Sequence, residues 1–69
     1  MPPLLKPGDL SGAVRNAQRL LNVHGANLTT DGVFGPATEH AVRNFQTVFH
    51  LGVDGLVGPA TWTALDTFG

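Results

Sequence analysis

Hydrophobic residues recur at helical spacing in the first third of this chain and predict an amphipathic helix over residues 12–24. At about 100° per residue, Val14, Ala17 and Leu21 fall on one side of this helix. The opposite side is polar, so the helix is expected to pack against the rest of the chain through one face only. Gly25 follows directly and is a typical helix stop.

A second amphipathic stretch predicts a helix over residues 36–49, because Pro36 suits the first position of a helix. A third helix, over residues 59–66, starts with the same motif and directs Trp62 and Leu65 inward. The chain is therefore expected to be all-α, a small three-helix bundle. The inner face of the second helix is predicted to consist of Ala37, Thr38, Ala41, Val42, Phe45 and Phe49.

The chain also contains an internal duplication. Residues 13–18 (AVRNAQ) return as residues 41–46 (AVRNFQ), and residues 31–38 (DGVFGPAT) return as residues 54–61 (DGLVGPAT). Each half is one helix-loop-turn unit that leads into the next helix, which is the pattern of a duplicated supersecondary unit. The halves differ in one loop, since residues 25–30 of the first half are shortened in the second.

The repeated Asp-Gly pairs predict two similar turns, because aspartate can bond its own downstream backbone and glycine can adopt a positive φ. Phe34 and Val57 then fall inward. The amides of Gln18 and Gln46 either fix a loop backbone or bind a ligand, and the first role is the default because buried polar groups are paired. The residues predicted to build the turns and helix starts are Gln18, Asp31, Gly32, Gly35, Pro36, Thr38, Gln46, Asp54, Gly55, Gly58, Pro59 and Thr61.

The length of 69 residues leaves room for one domain, expected over residues 10–69 after an N-terminal arm of residues 1–9. A net charge of −1, with four lysines and arginines, argues against a nucleic-acid partner, because phosphate binding needs several basic contacts. The chain has no cysteine and therefore neither disulfides nor a thiolate metal site. Residues 1–8 contain no long apolar run, so neither a signal peptide nor membrane insertion is expected.

In order and spacing, these motifs resemble the peptidoglycan-binding domain family. The resemblance runs from about Leu5 to Leu65 and includes Asp-Gly-x-Phe-Gly-Pro-x-Thr, Ala-Val-x-x-Phe-Gln and Asp-Gly-x-Val-Gly-Pro-x-Thr-Trp. Two positions depart from the family's usual pattern. Leu10 interrupts the opening Gly-Asp-Ser-Gly, and Ala17 replaces a leucine before the first glutamine. Both departures bear on local packing more than on function.

The resemblance implies a non-catalytic three-helix module that holds a cell-wall hydrolase, such as a phage endolysin or a spore or autolytic enzyme, against peptidoglycan. The expected partners are the wall polymer, through its glycan, its stem peptide or both, and a hydrolase domain that is covalently linked or associated. The domain is expected to be a monomer without cofactor or metal, located outside the cell or in the wall.

A saccharide-binding module needs an aromatic platform, planar amides and, for peptide carboxylates, a cation. Trp62 could be the platform, although a tryptophan at helical spacing is also a usual core residue. Arginine favours bidentate pairs with carboxylates, although exposed arginines are also common on a solvated face. The predicted ligand-binding residues are Arg15, Arg19, Asn22, Arg43, Asn44 and Trp62.

A catalytic centre is not expected. Ser11, His24, His40 and His50 are residue types used in nucleophilic catalysis. However, the histidines form no His-x-x-x-His or Glu-x-x-His pair that would place two ligands on one side of a helix. No catalytic or metal-binding residues are therefore predicted.

The alternative to wall binding is a protein-docking module, similar to the three-helix prodomains of matrix metalloproteases, that packs on a partner enzyme. Such a module needs an exposed apolar surface. In this chain that surface is expected around Leu4, Leu5 or Phe68, whereas a polar groove near Trp62 would favour the wall.

Overall fold

The computed structural model describes residues 3–68, apart from the Phe68 side chain. It contains α1 (Gly12–Val23), α2 (Pro36–Val48) and α3 (Pro59–Phe68). The prediction of an all-α, three-helix bundle is confirmed, with α1 and α2 one residue shorter than expected and α3 two residues longer. None of the described helices is both long and apolar enough to span a membrane.

The helix ends follow from local chemistry. α1 begins after Ser11, whose hydroxyl accepts a backbone N–H of the first turn at 3.2 Å. α2 begins at Pro36, where the missing N–H is not needed, and has no side-chain cap. The residue after each C-cap is left-handed: Gly25 has a φ of 103° and His50 a φ of 58°. The second helix therefore ends with a side chain where the first has the expected glycine.

The three helices enclose a single apolar core. Leu10, at 72% exposed, lies outside this core, so its departure from the family pattern does not disturb packing. Ala17, at 1% exposed, lies within the core. The core residues are Leu5, Val14, Ala17, Leu21, Phe34, Val42, Phe45, Val57, Trp62, Ala64 and Leu65.

The predicted inner face of α2 needs one correction. Ala37 is exposed, whereas Thr38 and Val42 are buried and Ala41 and Phe49 are half-buried. Ala37 lies about 100° from Thr38 around the helix axis, which turns it away from the core. The inward face is therefore narrower than predicted, and Ala37 lies beside a surface groove.

A buried glutamine connects α1 to the first turn and to the start of α2. The Nε2 group of Gln18 donates to Asp31 Oδ1 at 3.1 Å and to the Val33 carbonyl at 3.0 Å. It also lies 3.0 Å from Thr38 Oγ1, the acceptor at the first turn of α2. The Oε1 atom accepts the Gly32 N–H at 2.9 Å. We call this arrangement the glutamine clamp.

The second half contains the same clamp. Gln46 Nε2 donates to Asp54 Oδ1 and to the Leu56 carbonyl, both at 2.9 Å, and lies 3.1 Å from Thr61 Oγ1. Its Oε1 atom accepts the Gly55 N–H at 3.1 Å. Both glutamines are 1% exposed, so their hydrogen bonds are not replaced by water. In this geometry each amide fixes a loop backbone.

The glycine of the first turn is required both by its conformation and by its surroundings. Gly32 has a φ of 78°, which L side chains rarely adopt. A Cβ atom at this position would lie 2.9 Å from the carbonyl oxygen of Ser11. Since Ser11 also donates its backbone N–H to the Gly32 carbonyl at 3.1 Å, a larger residue would displace the start of α1 from the turn.

The N-terminal segment packs against the second turn and α3. Leu5 and Val57 exchange two backbone hydrogen bonds, of 3.1 and 3.0 Å. The indole N–H of Trp62 donates to the Pro3 carbonyl at 2.7 Å. Leu5 is 2% exposed and belongs to the core, so the described part of the predicted arm contributes to the bundle. Met1 and Pro2 of that arm, and Gly69, lie outside the described residues.

Replacement of a clamp glutamine is expected to be strongly destabilising. Gln46→Ala leaves the Leu56 carbonyl and the Gly55 N–H without partners inside the protein, and each such buried group costs about 1–3 kcal/mol. Urea unfolding followed by circular dichroism should show a loss of about 2–4 kcal/mol. The control is Thr63→Ala on the exposed side of α3, where little change is expected. Equal stability of the two variants would contradict a structural role for the clamp.

The clamps also make stability depend on pH. Hydrogen bonds from the Val33 N–H, and then from Gln18, lower the pKa of Asp31 below its ordinary 3.8. Corresponding bonds lower the pKa of Asp54. The folded state therefore binds these protons more weakly than the unfolded state does. The stabilisation is complete above the ordinary pKa and is lost as the pH falls through the lowered folded-state values.

We expect the melting temperature to fall most steeply below about pH 4. The double variant Asp31→Asn/Asp54→Asn should show a shallower decline, because it no longer carries these two titrating groups. Scanning calorimetry of both proteins from about pH 7 to about pH 2 measures the difference. Parallel curves would show that the turn carboxylates do not contribute.

Candidate functional site

The described residues form a surface groove of about 490 Å³. It lies between the end of α1, the loop of residues 25–30 and one face of α2, and we call it the first groove. Small-molecule sites typically measure about 300–1,000 Å³, so this volume accommodates a ligand. Its floor includes Leu28, Ala41 and Phe45, and its rim includes Asn27, His40 and Asn44.

Asn22 fixes the loop that forms one wall of the first groove. Its Nδ2 group donates to the Leu28 carbonyl at 3.0 Å, and its Oδ1 atom accepts the Leu28 N–H at 2.8 Å. These two bonds hold the Leu28 backbone in place, and the Leu28 side chain packs half-buried against the core. Asn22 therefore positions the groove wall, and its amide is already engaged.

Three aromatic rings in mutual contact form the end of the groove near the C-terminal ends of α1 and α2. His24 meets Phe45 edge-on at 5.0 Å and Phe49 at 5.4 Å, and the two phenylalanine rings stack at 4.4 Å. The Nε2 atom of His24 is buried without a hydrogen-bond partner among the described residues. Phe49 is half-buried and lines the groove, so its ring forms part of the apolar surface of the groove.

The groove lining contains no aspartate, glutamate, lysine or arginine. Its exposed polar side chains are the neutral amides of Asn27 and Asn44, the imidazole of His40 and the hydroxyl of Thr47. The groove thus combines an apolar floor with hydrogen-bonding groups at its rim. This is the usual composition of a small-molecule site.

The arginines predicted from the sequence lie elsewhere. Arg43 pairs with Glu39 at 3.3 Å, and both side chains lie against Gly55 of the second turn. Arg15 and Arg19 are exposed on α1, and none of the three arginines lines the first groove. The structure therefore does not bring them together with Asn44.

Trp62 is also separate from the groove. Its side chain is a core residue, only 7% exposed, and its indole N–H is used by the Pro3 carbonyl. Little of the ring can therefore face a ligand. Of the six predicted ligand-binding residues, the structure places Asn44 on the groove rim and Asn22 beneath the loop.

Sequence reasoning did not identify the groove. Ala37, Ala41, Asn44 and Val48 follow one another at spacings of three and four and form a stripe along α2, with His40 beside it. The two alanines leave the space that the groove occupies. The longer loop of the first half was the one signal in the sequence that pointed to the groove. The shorter loop of the second half borders a depression of only about 240 Å³.

Among the described residues, no three metal-binding side chains come together. The histidines lie apart in the fold: His24 in the aromatic cluster, His40 on the groove rim and His50 at the end of α2.

Comparisons with known proteins agree with the fold. Residues 11–65 match the family model of the peptidoglycan binding domain. The zinc D-Ala-D-Ala carboxypeptidase of Streptomyces albus G is 42% identical over 64 residues, which cover 88% of this chain and 25% of the enzyme. The endolysin of Burkholderia phage AP3 superposes with a TM-score of 0.93 at 39% identity, over 97% of this chain and 26% of the endolysin chain.

The N-terminal domain of SleB also superposes with a TM-score of 0.93, at 36% identity. This superposition covers 99% of the present chain and 94% of that domain, whereas the chain spans about a quarter of the carboxypeptidase and of the endolysin. The similarity is therefore confined to one domain of the two larger proteins.

Removal of the Asn22 amide is expected to release the loop without unfolding the bundle. In Asn22→Ala the Leu28 N–H loses its partner, so its hydrogen exchange should accelerate at least about tenfold, equivalent to about 1.4 kcal/mol of local stability. Hydrogen exchange of amides in the core of α1 should change much less. Asn27→Ala, in the same loop but exposed, is the matched control. Unchanged exchange at Leu28 would contradict this role.

Proposed function

Because this chain belongs to the peptidoglycan binding domain family, we propose that it binds the bacterial wall polymer through the first groove. The observation that carries the proposal is the asymmetry between the two halves. Both halves contain the same clamp, but only the half with the longer, Asn22-fixed loop encloses a groove of about 490 Å³. A loop that scaffolding does not require, placed beside a ligand-sized surface, is typical of a binding element.

The proposed contacts are on the rim and the aromatic end of the groove. Asn44 and His40 offer hydrogen bonds from successive turns of α2, and Phe49 offers part of a ring. Arg15, Arg19 and Arg43 remain predictions from the sequence alone.

We further propose that the domain places a hydrolase on its substrate. The proteins that it resembles include a carboxypeptidase and an endolysin, and in each of these two the matching domain is a minor part of the chain. The hydrolase would be covalently linked or associated, and the domain would act as a monomer at the wall. A single small groove implies weak binding, which linkage to a hydrolase compensates through a higher effective concentration.

The alternative is a protein-docking module, and the residues predicted to form its apolar patch give it little support. Of the residues expected to form its apolar patch, Leu4 is 56% exposed but Leu5 is buried at 2%. The Phe68 side chain lies outside the described part of the chain. A domain that stays in solution with isolated wall material would favour this alternative.

A larger side chain in the groove is expected to weaken retention on the wall. In a sedimentation assay with washed, insoluble peptidoglycan sacculi, Ala37→Leu should bind about tenfold more weakly, the equivalent of about 1.4 kcal/mol. Ala60→Leu is the matched control, because Ala60 occupies the repeat-equivalent, exposed position at the start of α3. Insoluble cellulose and an unrelated small acidic protein test selectivity. Equal binding of both variants would place the site outside the first groove.

The repeat offers a second matched pair. Asn44→Ala should weaken binding to sacculi several-fold, since a hydrogen bond to a neutral partner contributes about 0.5–1.5 kcal/mol. Asn16→Ala changes the repeat-equivalent, exposed position on α1 and should leave binding intact. Both melting temperatures should equal that of the parent. A loss with Asn16→Ala alone would move the site to α1.

A further inference from the structure

No lysine, arginine, aspartate or glutamate among the described residues lines the first groove. Arg43 is paired with Glu39, and Lys6 is paired with Asp9 at 3.0 Å. Arg15 and Arg19 do not line the groove. A carboxylate that entered the groove would lose its water without gaining a cation, which is unfavourable.

The groove does provide what an uncharged sugar needs. The side-chain amides of Asn27 and Asn44 each offer a donor and an acceptor, and the His40 imidazole adds a further hydrogen-bonding group. Sugar hydroxyls and acetamido groups require both. The floor of Leu28, Ala41 and Phe45 matches the C–H faces of a sugar ring and the methyl of an acetyl group.

We propose that the first groove recognises the neutral, N-acetylated glycan of the wall polymer and not the carboxylates of its stem peptides. This inference rests on the proposed wall binding and makes it specific. The bound segment lies along the α2 stripe from Ala37 to Val48, with Asn44 near its middle and the Asn22-fixed loop covering one side. Binding then depends little on salt, since no ion pair forms between the domain and the ligand.

The test uses three ligands with the isotope-labelled domain in NMR titrations: neutral N-acetylglucosamine oligomers, glycan strands freed of peptide and amidated at the lactyl carboxylates so exposed, and soluble stem peptides. We expect both glycan ligands to shift the Asn44 side-chain amide and the Leu28 backbone amide. Their affinity should change less than about twofold between about 0.05 M and about 0.5 M salt. Asn44→Ala should weaken this binding several-fold, whereas Arg19→Gln should not.

Sedimentation with intact sacculi distinguishes a failure of the glycan inference from a failure of the proposed wall binding. If the domain sediments with intact sacculi but binds stem peptides and neither glycan ligand, wall binding holds and the glycan inference is wrong. A several-fold loss of binding with Arg19→Gln or at high salt would also overturn it. If the domain does not bind intact sacculi, the proposed function itself fails and the inference fails with it.

Discussion

The fold depends on one repeated interaction, the hydrogen-bonding of a buried glutamine amide to a turn that has no regular secondary structure of its own. In each half, the amide oxygen accepts from a turn glycine, and the amide nitrogen donates to the aspartate and to a carbonyl and lies within hydrogen-bond distance of a helix-starting threonine. A sheet would satisfy these backbone groups through its ladder. Here, one side chain per half satisfies them, so a chain of 69 residues can connect its helices with turns that enter the core.

This arrangement explains why polar residues occupy the centre of so small a domain. Gln18, Thr38, Gln46 and Thr61 are all at most 4% exposed, although a larger apolar core would give more burial energy. Their bonds set the direction in which α2 and α3 leave the turns, and Gly32 and Gly55 allow the close approach. The duplicated motif is thus a connector between successive helices, and its two copies leave the surface around the first groove free to differ.

The proposed function depends on a difference between the two halves. Both use the same clamp, yet the first carries a longer loop that Asn22 fixes against the bundle. The loop and the two small residues Ala37 and Ala41 leave a groove that lacks charged side chains. Scaffold and recognition are therefore separated: the repeat supplies stability, and the departure from the repeat supplies the surface on which the proposed wall binding depends.

The sequence alone determined the three helices, the duplicated turns and the family, because helical periodicity, Asp-Gly pairs and proline starts are local properties. It also indicated the inward positions of Val14 and Leu65. Tertiary structure alone decided that the inward-facing Trp62 donates its indole N–H to Pro3, that Arg43 is paired with Glu39, and that Ala37 opens onto a groove. These outcomes depend on how a loop and two helices approach each other in space, and no local pattern encodes that distance.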